Sequence, residues 1–347
     1  MPFGLRFVNT TLLLTGGIPA LIHKTLAHKT NSNRNFLKLL EAPESTTLIA
    51  LILICIGLSF ASPYFLTTRN VINILRQISL ISILATGQAM VVISGGIDLS
   101  VGALVGLTAC LGAVSALAGA PPLVTLLVIL GSGALVGLTN GLLITKIGLP
   151  PFIATLGMLS VLRGFSLLTN LGSPIHYDPT WVSVFGGGYV GIIPLSVIVM
   201  ITIVLAGHIF MKHTVPGRNI YAVGNSEKAA KLSGIDVDLI KIWIYTITGF
   251  LGGICGMVLM GQMDGSDPFY GSGYEMEVIA AVVIGGMSLS GGQGNLLGLV
   301  LGAALMGVLK NAFVLLAVPG YWQTVAIGIV IIASTAVDSF RIKKAVR

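Results

Sequence analysis

Few residues of this chain could do chemistry, and most of them stand alone. Asp98 lies between two apolar runs, Arg163 is flanked by Leu162 and Gly164 inside another, and Lys310-Asn311 interrupts a fourth. At such depth a charge must snorkel, pair or line a watery cavity, so each position is a candidate site inside a helix bundle. For Arg163, snorkelling and pairing both fit; for Lys310 and Asn311, partial snorkelling is the default. Asp98 has a quieter role, because Asp98-Leu99-Ser100 opens an apolar run and Asp is a favoured N-cap that complements the helix dipole. A proton relay would need a second acid or a His nearby, and only Asp338, near the end of the last apolar run, offers one. The five histidines show no i,i+4 pair and no HExxH, so no metal site is expected. No nucleophile elbow, Walker or dinucleotide motif is present, and no catalytic residue is assigned. Gly291-Gly-Gln-Gly294 has the flavour of an ATPase signature, but a nucleotide site needs a P-loop on a strand and a soluble domain around it. Glycines here read instead as a helix break at membrane depth, tolerated where backbone is buried in protein or lines a cavity.

The elements around these residues follow from composition. The chain has 347 residues, 54% hydrophobic and 9% charged, against about 25% charged in a soluble domain. A spanning helix takes about 20 mostly apolar residues, which leaves room for roughly ten helices and little else. The fold class is therefore all-α integral membrane. Spans are expected at 47–62, 78–94, 99–118, 121–145, 152–170, 190–211, 242–263, 278–287, 296–316 and 321–338. The 45 glycines suit close helix–helix approach in lipid. Cys55, Cys110 and Cys255 fall inside apolar runs without metal-type spacing and read as small buried hydrophobes.

The net charge of +7 does not point to nucleic acid, because the positive-inside rule accounts for where the cations lie. Of 19 Lys and Arg, all but Arg69, Arg76, Arg163 and Lys310 fall on one side of the expected topology. Both termini are then cytoplasmic. Residues 1–45 form an N-terminal extension, cytoplasmic or membrane-surface. Its apolar stretch Phe7 to Ile22 is short, is interrupted by Asn9, Gly16, Gly17 and Pro19, and lacks the marks of a secretory signal. The transmembrane domain is 46–347.

Two short segments look like copies. Gly95, Gly96, Asp98 and Ser100 match Gly285, Gly286, Ser288 and Ser290 in the pattern Gly-Gly-x-(Asp/Ser)-Leu-Ser-x-Gly, each after an apolar run starting Val-Val-Ile. Paired Gly-interrupted segments are a trace of an internal repeat beside a transport path. The longest polar island, 212–241, holds Lys212, Arg218, Lys228, Lys231 and Lys241 and a short helix-forming run from Ser226 to Leu232 closed by Gly234. On the other side Asp264, Asp267, Glu275 and Glu277 form an acidic stretch, with Asp178, Tyr177, Trp181 and Phe185 in a second long loop. These acids suit docking of a basic partner surface, or simple solvation.

Over about 46–340 these features resemble the permease subunits of the ribose and related monosaccharide ABC importers. The resemblance rests on Asn70-Val-Ile-Asn-Ile-Leu-Arg-Gln77, on Gly95 to Gly102, on Leu149 to Gly157 with Arg163-Gly164, and on Gly217 to Ile235. Within the last segment Gly224, Glu227, Ala229, Ala230 and Gly234 resemble the family's coupling motif, although this chain has Gly224-Asn225-Ser226 where the family commonly reads Gly-Gly-Asn. The resemblance implies a type II ABC importer-like permease of ten helices in the bacterial plasma (inner) membrane. It implies a second permease copy (homodimer or paralogous heterodimer), an ABC ATPase subunit inside, and a periplasmic or lipid-anchored solute-binding protein outside. No cofactor is expected on this chain, with ATP and Mg held by the ATPase subunits. Permeases for nucleosides or branched-chain amino acids are alternatives within the class. A self-sufficient secondary transporter and a membrane-embedded enzyme are the rivals outside it.

Overall fold

The computed structural model describes residues 43–345, with side chains from 45 to 336. The extension up to residue 42 and the side chain of Asp338 lie outside the described residues. Five helices come first: α1 (Pro43–Ala61), α2 (Thr68–Ile93), α3 (Val101–Leu117), α4 (Pro122–Thr145) and α5 (Pro151–Leu168). A long connection then carries β1 (Ile175–His176), α6 (Val184–Gly187), β2 (Tyr189–Val190) and β3 (Ile193–Pro194) into α7 (Leu195–His213). Two short helices, α8 (Val215–Asn225) and α9 (Glu227–Leu232), lead into α10 (Val237–Met263). The chain ends with β4 (Gly265–Ser266), α11 (Tyr274–Ile284), α12 (Leu296–Leu315) and α13 (Gly320–Ala345).

Each expected span overlaps one helix. By length and composition six of these, α2, α4, α5, α7, α10 and α12, are able to cross a membrane, while α1, α3 and α13 carry shorter apolar stretches. The second helix begins ten residues before the expected start of its span. Its polar first turns are satisfied inside the bundle: the Asn70 side chain donates to the Phe65 carbonyl (2.9 Å) and exchanges two amide hydrogen bonds with Asn311 of α12 (2.7 and 3.0 Å). With those groups paired, the helix need not end where the apolar run does.

Every residue of α2 from Ile78 to Ile93 is buried, the polar Ser79, Ser82, Thr86 and Gln88 included, which puts this mostly apolar stretch at the centre of the bundle. Beside it, α10 packs on α4 along a seam of glycines four residues apart. A methyl group on Gly133 would lie 2.5 Å from the Gly249 carbonyl oxygen, one on Gly141 2.8 Å from the Ile242 Cα, and one on Gly137 would overlap the Tyr245 carbonyl. Backbones meet here because nothing projects between them, which is how helices gain contact in lipid without a hydrophobic drive.

The connections sort to two sides. Lys146 at the end of α4 pairs with Asp238 at the start of α10 (3.4 Å), so both lie with α8 and α9. On the opposite side β1 and β4 pair antiparallel, Ile175 with Ser266 and His176 with Gly265, and fasten the two longest connections there to each other.

Candidate functional site: a capped helix seated on two helix breaks

The polar island is not one loop with a helix in it but two helices in series. Thr214 caps α8, accepting from Gly217 N (3.1 Å), and Ser226 caps α9, accepting from Ala229 N (3.2 Å). Glu227 in the first turn of α9 and Lys231 in its last suit the helix dipole. The end is closed by Gly234 at φ +81°, with Gly234 N donating to Lys231 O and Ile235 N to Ala230 O (both 3.0 Å). That double closure needs a left-handed residue, and glycine adopts it at no steric cost.

The two faces of α9 differ from the expectation for a motif that faces a partner. Ala230 is buried against Val223 and Val237 of its own chain, so bulk there would unseat α9 from the permease domain itself. Glu227 forms an ion pair with Lys241 of α10. The helices on either side account for both: Val223 of α8, a helix unforeseen in the sequence, and Val237 of α10 take up the inner face of α9, and Lys241 of α10 reaches Glu227. Ala229 and Gly234 remain exposed. On the outward face Leu232 is 91% exposed, with Lys228 and Lys231 also exposed. The one signal for it in the sequence is a lone large apolar residue in a six-residue helix of Glu, Lys and Ala.

Gly224, one turn before α9, lies against both of the Gly-interrupted segments. A methyl there would overlap the Ile93 carbonyl oxygen and lie 2.6 Å from Gly292 N. Gly292 N in turn donates to Ile93 O (2.8 Å). The Asn225 side chain donates to the carbonyls of Tyr221 (2.9 Å) and Gly292 (3.4 Å), and the Tyr221 hydroxyl donates to Gly294 O (3.0 Å). Burial pushes the Tyr221 phenol up, so it is a proton donor at neutral pH. Asn225 and Tyr221 carry no pattern that would have marked them in the sequence.

The two breaks are built alike. After α2, Gly95 N donates to Val92 O (2.9 Å) and Gly96 N to Val91 O (2.9 Å); after α11, Gly286 N donates to Val283 O (3.0 Å) and Met287 N to Val282 O (3.2 Å). Gly95 and Gly286 hold the left-handed position, at φ +85° and +90°. The structural partner of Gly95 is thus Gly286, one residue later than the pattern match with Gly285. Gly285 is occupied otherwise, packed on the backbone of Gly298. The following turns obey the sequence pattern: Asp98 Oδ1 accepts from Ser100 N (2.8 Å) and Ser100 Oγ (2.6 Å), and Ser288 Oγ accepts from Ser290 N (3.3 Å).

Asp98 is therefore not the N-cap of α3. Ser100 holds that position, and Asp98 folds the turn two residues ahead of it. The carboxylate is 2% exposed. Asn140 of α4 donates to Ser100 Oγ (2.9 Å), and the Gln88 amide of α2 pairs with both the N–H and the C=O of Asp98 (each 3.2 Å).

A sequence profile of the family described as "Branched-chain amino acid transport system / permease component" matches residues 70–335. The chain belongs to this permease family. It is 37% identical over 315 residues to the ribose import permease protein RbsC of Escherichia coli (strain K12), covering 90% of this chain and 98% of that protein. It is 39% identical over 292 residues to the RbsC of Bacillus subtilis (strain 168), covering 84% and 91%. With the D-allose transport system permease protein AlsC of Escherichia coli (strain K12) the identity is 34% over 296 residues, covering 84% and 90%. No solved structure matches. The permease is a multi-pass protein of the bacterial plasma (inner) membrane.

The isolated charges of the permease are not isolated. Arg163 donates to the carbonyls of Pro268 (2.6 Å) and Tyr270 (3.4 Å), tying α5 to the connection after β4. Lys310 does not snorkel. It pairs with both carboxylate oxygens of Glu277 (2.9 and 3.1 Å) and lies 5.5 Å from the Tyr274 ring centroid. Glu277, at 5% exposed, is thereby removed from the set of docking acids. A carboxylate inside the bundle is retained only with a partner, and α12 supplies it. Asp264 is exposed, Asp267 is half-buried and accepts from Phe269 N (2.7 Å), and Glu275 is half-buried. Tyr177 of the neighbouring connection is buried, with its hydroxyl 3.1 Å from Ser183 Oγ. Among the described residues no three His, Cys, Asp or Glu side chains gather as a metal site would require.

Proposed function

We propose that this permease is the membrane-spanning subunit of an ATP-driven, binding-protein-dependent importer of a monosaccharide. Its transport path is built by about ten spans, α1–α5, α7 and α10–α13, with both termini cytoplasmic. The distribution of cations supports that orientation. Relatives at 32–37% identity are named for import or transport of ribose, D-allose, fructose and galactose, which supports a sugar rather than an amino acid as cargo. The chain holds no ATPase site or cofactor of its own, and ATP with Mg is bound by ATPase subunits. A second permease copy completes the path, packed through lipid-facing apolar surfaces, and the two halves rock against each other as the ATPases close. A solute-binding protein docks on the side of Asp264, Asp267 and Glu275.

The observation that carries this reading is the outward face of α9. A leucine 91% exposed, flanked by lysines on a helix capped at both ends, has the form of an anchor for a groove in a soluble partner. Ion coupling is less well supported, because Asp98 and Glu277 are each engaged, by Ser100 and by Lys310. The test is Leu232→Asp. Loss of a central apolar anchor costs about 2 kcal/mol or more, so ATPase copurification should fall at least tenfold while the permease stays folded in the membrane. Uptake of ribose, allose, fructose and isoleucine by the wild-type complex then fixes the cargo class. Full ATPase copurification by the variant removes α9 as the coupling element, and uptake without ATP removes the importer reading.

A further inference from the structure

We propose that Asn225 and Tyr221 are positioning residues that carry displacement of α9 into both helix breaks at once. The inference rests on the coupling reading above and says by which atoms coupling leaves α9. Two routes lead inward. One is covalent, along Gly234 to Val237 into α10, reinforced by the Glu227–Lys241 pair. The other passes through α8. Asn225 immediately precedes the α9 cap, and its amide holds Gly292 O. Tyr221, one turn earlier, holds Gly294 O. Gly292 N is bonded to the last carbonyl of α2, at Ile93. A pull on Gly292 therefore reaches the end of the most buried helix of the bundle and the start of α12 together.

The contact is also stiff. Gly224 has no space for a methyl against Ile93 O, and at Gly291 an added methyl would lie 3.1 Å from both Gly224 O and Gly95 Cα. Backbone against backbone, with no side chain between, leaves nothing to deform, so a push on α8 is transmitted and not absorbed. The glycines at Gly291, Gly292 and Gly294 take φ of +82°, +73° and +154°, a path that few other residues could follow.

The experiment uses the complete complex in proteoliposomes, with ATPase and binding-protein subunits, and the sugar that the wild type accumulates. Tyr221→Phe with Asn225→Ala should leave assembly and ATP hydrolysis within twofold of wild type. It should lower uptake at least fivefold, so that ATP hydrolysed per sugar rises at least fivefold. Asn225→Gln, which restores an amide, should recover part of that ratio. A purely structural role would lower uptake and hydrolysis together. An unchanged ratio overturns the proposal and leaves the α10 route. If the double variant does not assemble, Tyr221→Phe alone removes one hydroxyl and should still raise the ratio about twofold; no change there overturns the proposal equally. The coupling reading is judged separately, by Leu232→Asp: normal copurification in that variant defeats it whatever Asn225 does.

Discussion

The two helix breaks end their helices in the same way and then part company. After α2 the chain turns at Asp98 and re-enters a helix at Val101; after α11 it turns at Ser288 and stays irregular through Asn295. The first break is held from behind by Gln88 of α2 and Asn140 of α4, both fully buried. The second is held by Gly292 N on Ile93 O and by two side chains of α8. A carboxyl group that accepts two short bonds from Ser100 sits in one, a hydroxyl that accepts from Ser290 N at 3.3 Å in the other. The same local motif thus serves as an anchor within the bundle in the first half of the chain and as a point of contact with side chains of α8 in the second, with Gly292 N on Ile93 O joining the two. A repeat supplies the shape, and the neighbours decide what the shape is for.

The comparison breaks if the first site is not an anchor. Asp98→Leu strips the acceptor from Ser100 N and Oγ and leaves two buried donors unmet, at about 1–3 kcal/mol each, so roughly 2–6 kcal/mol in all. Little monodisperse protein should be recovered in detergent; wild-type recovery would deny the anchor. Gly292→Val is expected next in size. It places a β-branched side chain at φ +73° against Asn225, and should give an assembled complex that hydrolyses ATP with uptake reduced at least tenfold. Gly95→Ala sharpens the contrast, because an added methyl there meets nothing within 4 Å. Only the left-handed backbone is strained, by about 1–2 kcal/mol. Its melting temperature should drop by a few degrees while the ATP-to-sugar ratio stays at the wild-type value. A raised ratio would mean that the backbone angle at Gly95, and not only the contact at Ile93 O, sets coupling.

Much of this was legible in the sequence because it depends on local order. Apolar runs place the helices, and Ser226 with Gly234 marks a short capped helix. The Gly-Gly-x-(Asp/Ser)-Leu-Ser pattern finds two segments that meet in space. What escaped depends on contacts between distant positions. Glu277 and Lys310 are 33 residues apart, so each read alone looks like a surface or snorkelling charge. The inner face of α9 is set by Val223 and Val237 on either side of it, and six residues are too few for a period to show. The shift from Gly285 to Gly286 escaped because a pattern of identical letters cannot say which glycine takes the left-handed angle. That is fixed by where the preceding helix ends.

The smallest expected effect tests the weaker turn. Ser288→Ala removes the oxygen that accepts from Ser290 N at 3.3 Å. A neutral bond of that length contributes little, about 0.5–1 kcal/mol, and Ser290 lies partly open to solvent, where water can replace the lost acceptor. Loss of that bond should therefore lower stability far less than Asp98→Leu does. The informative quantity is again ATP hydrolysed per sugar. If the second break is held in place chiefly by Gly292, Asn225 and Tyr221, loosening its turn leaves that ratio within about 1.5-fold of wild type. A several-fold rise would mean that the turn, and not the contact with α8, sets the position of the break. The repeat would then work through its internal geometry in both halves.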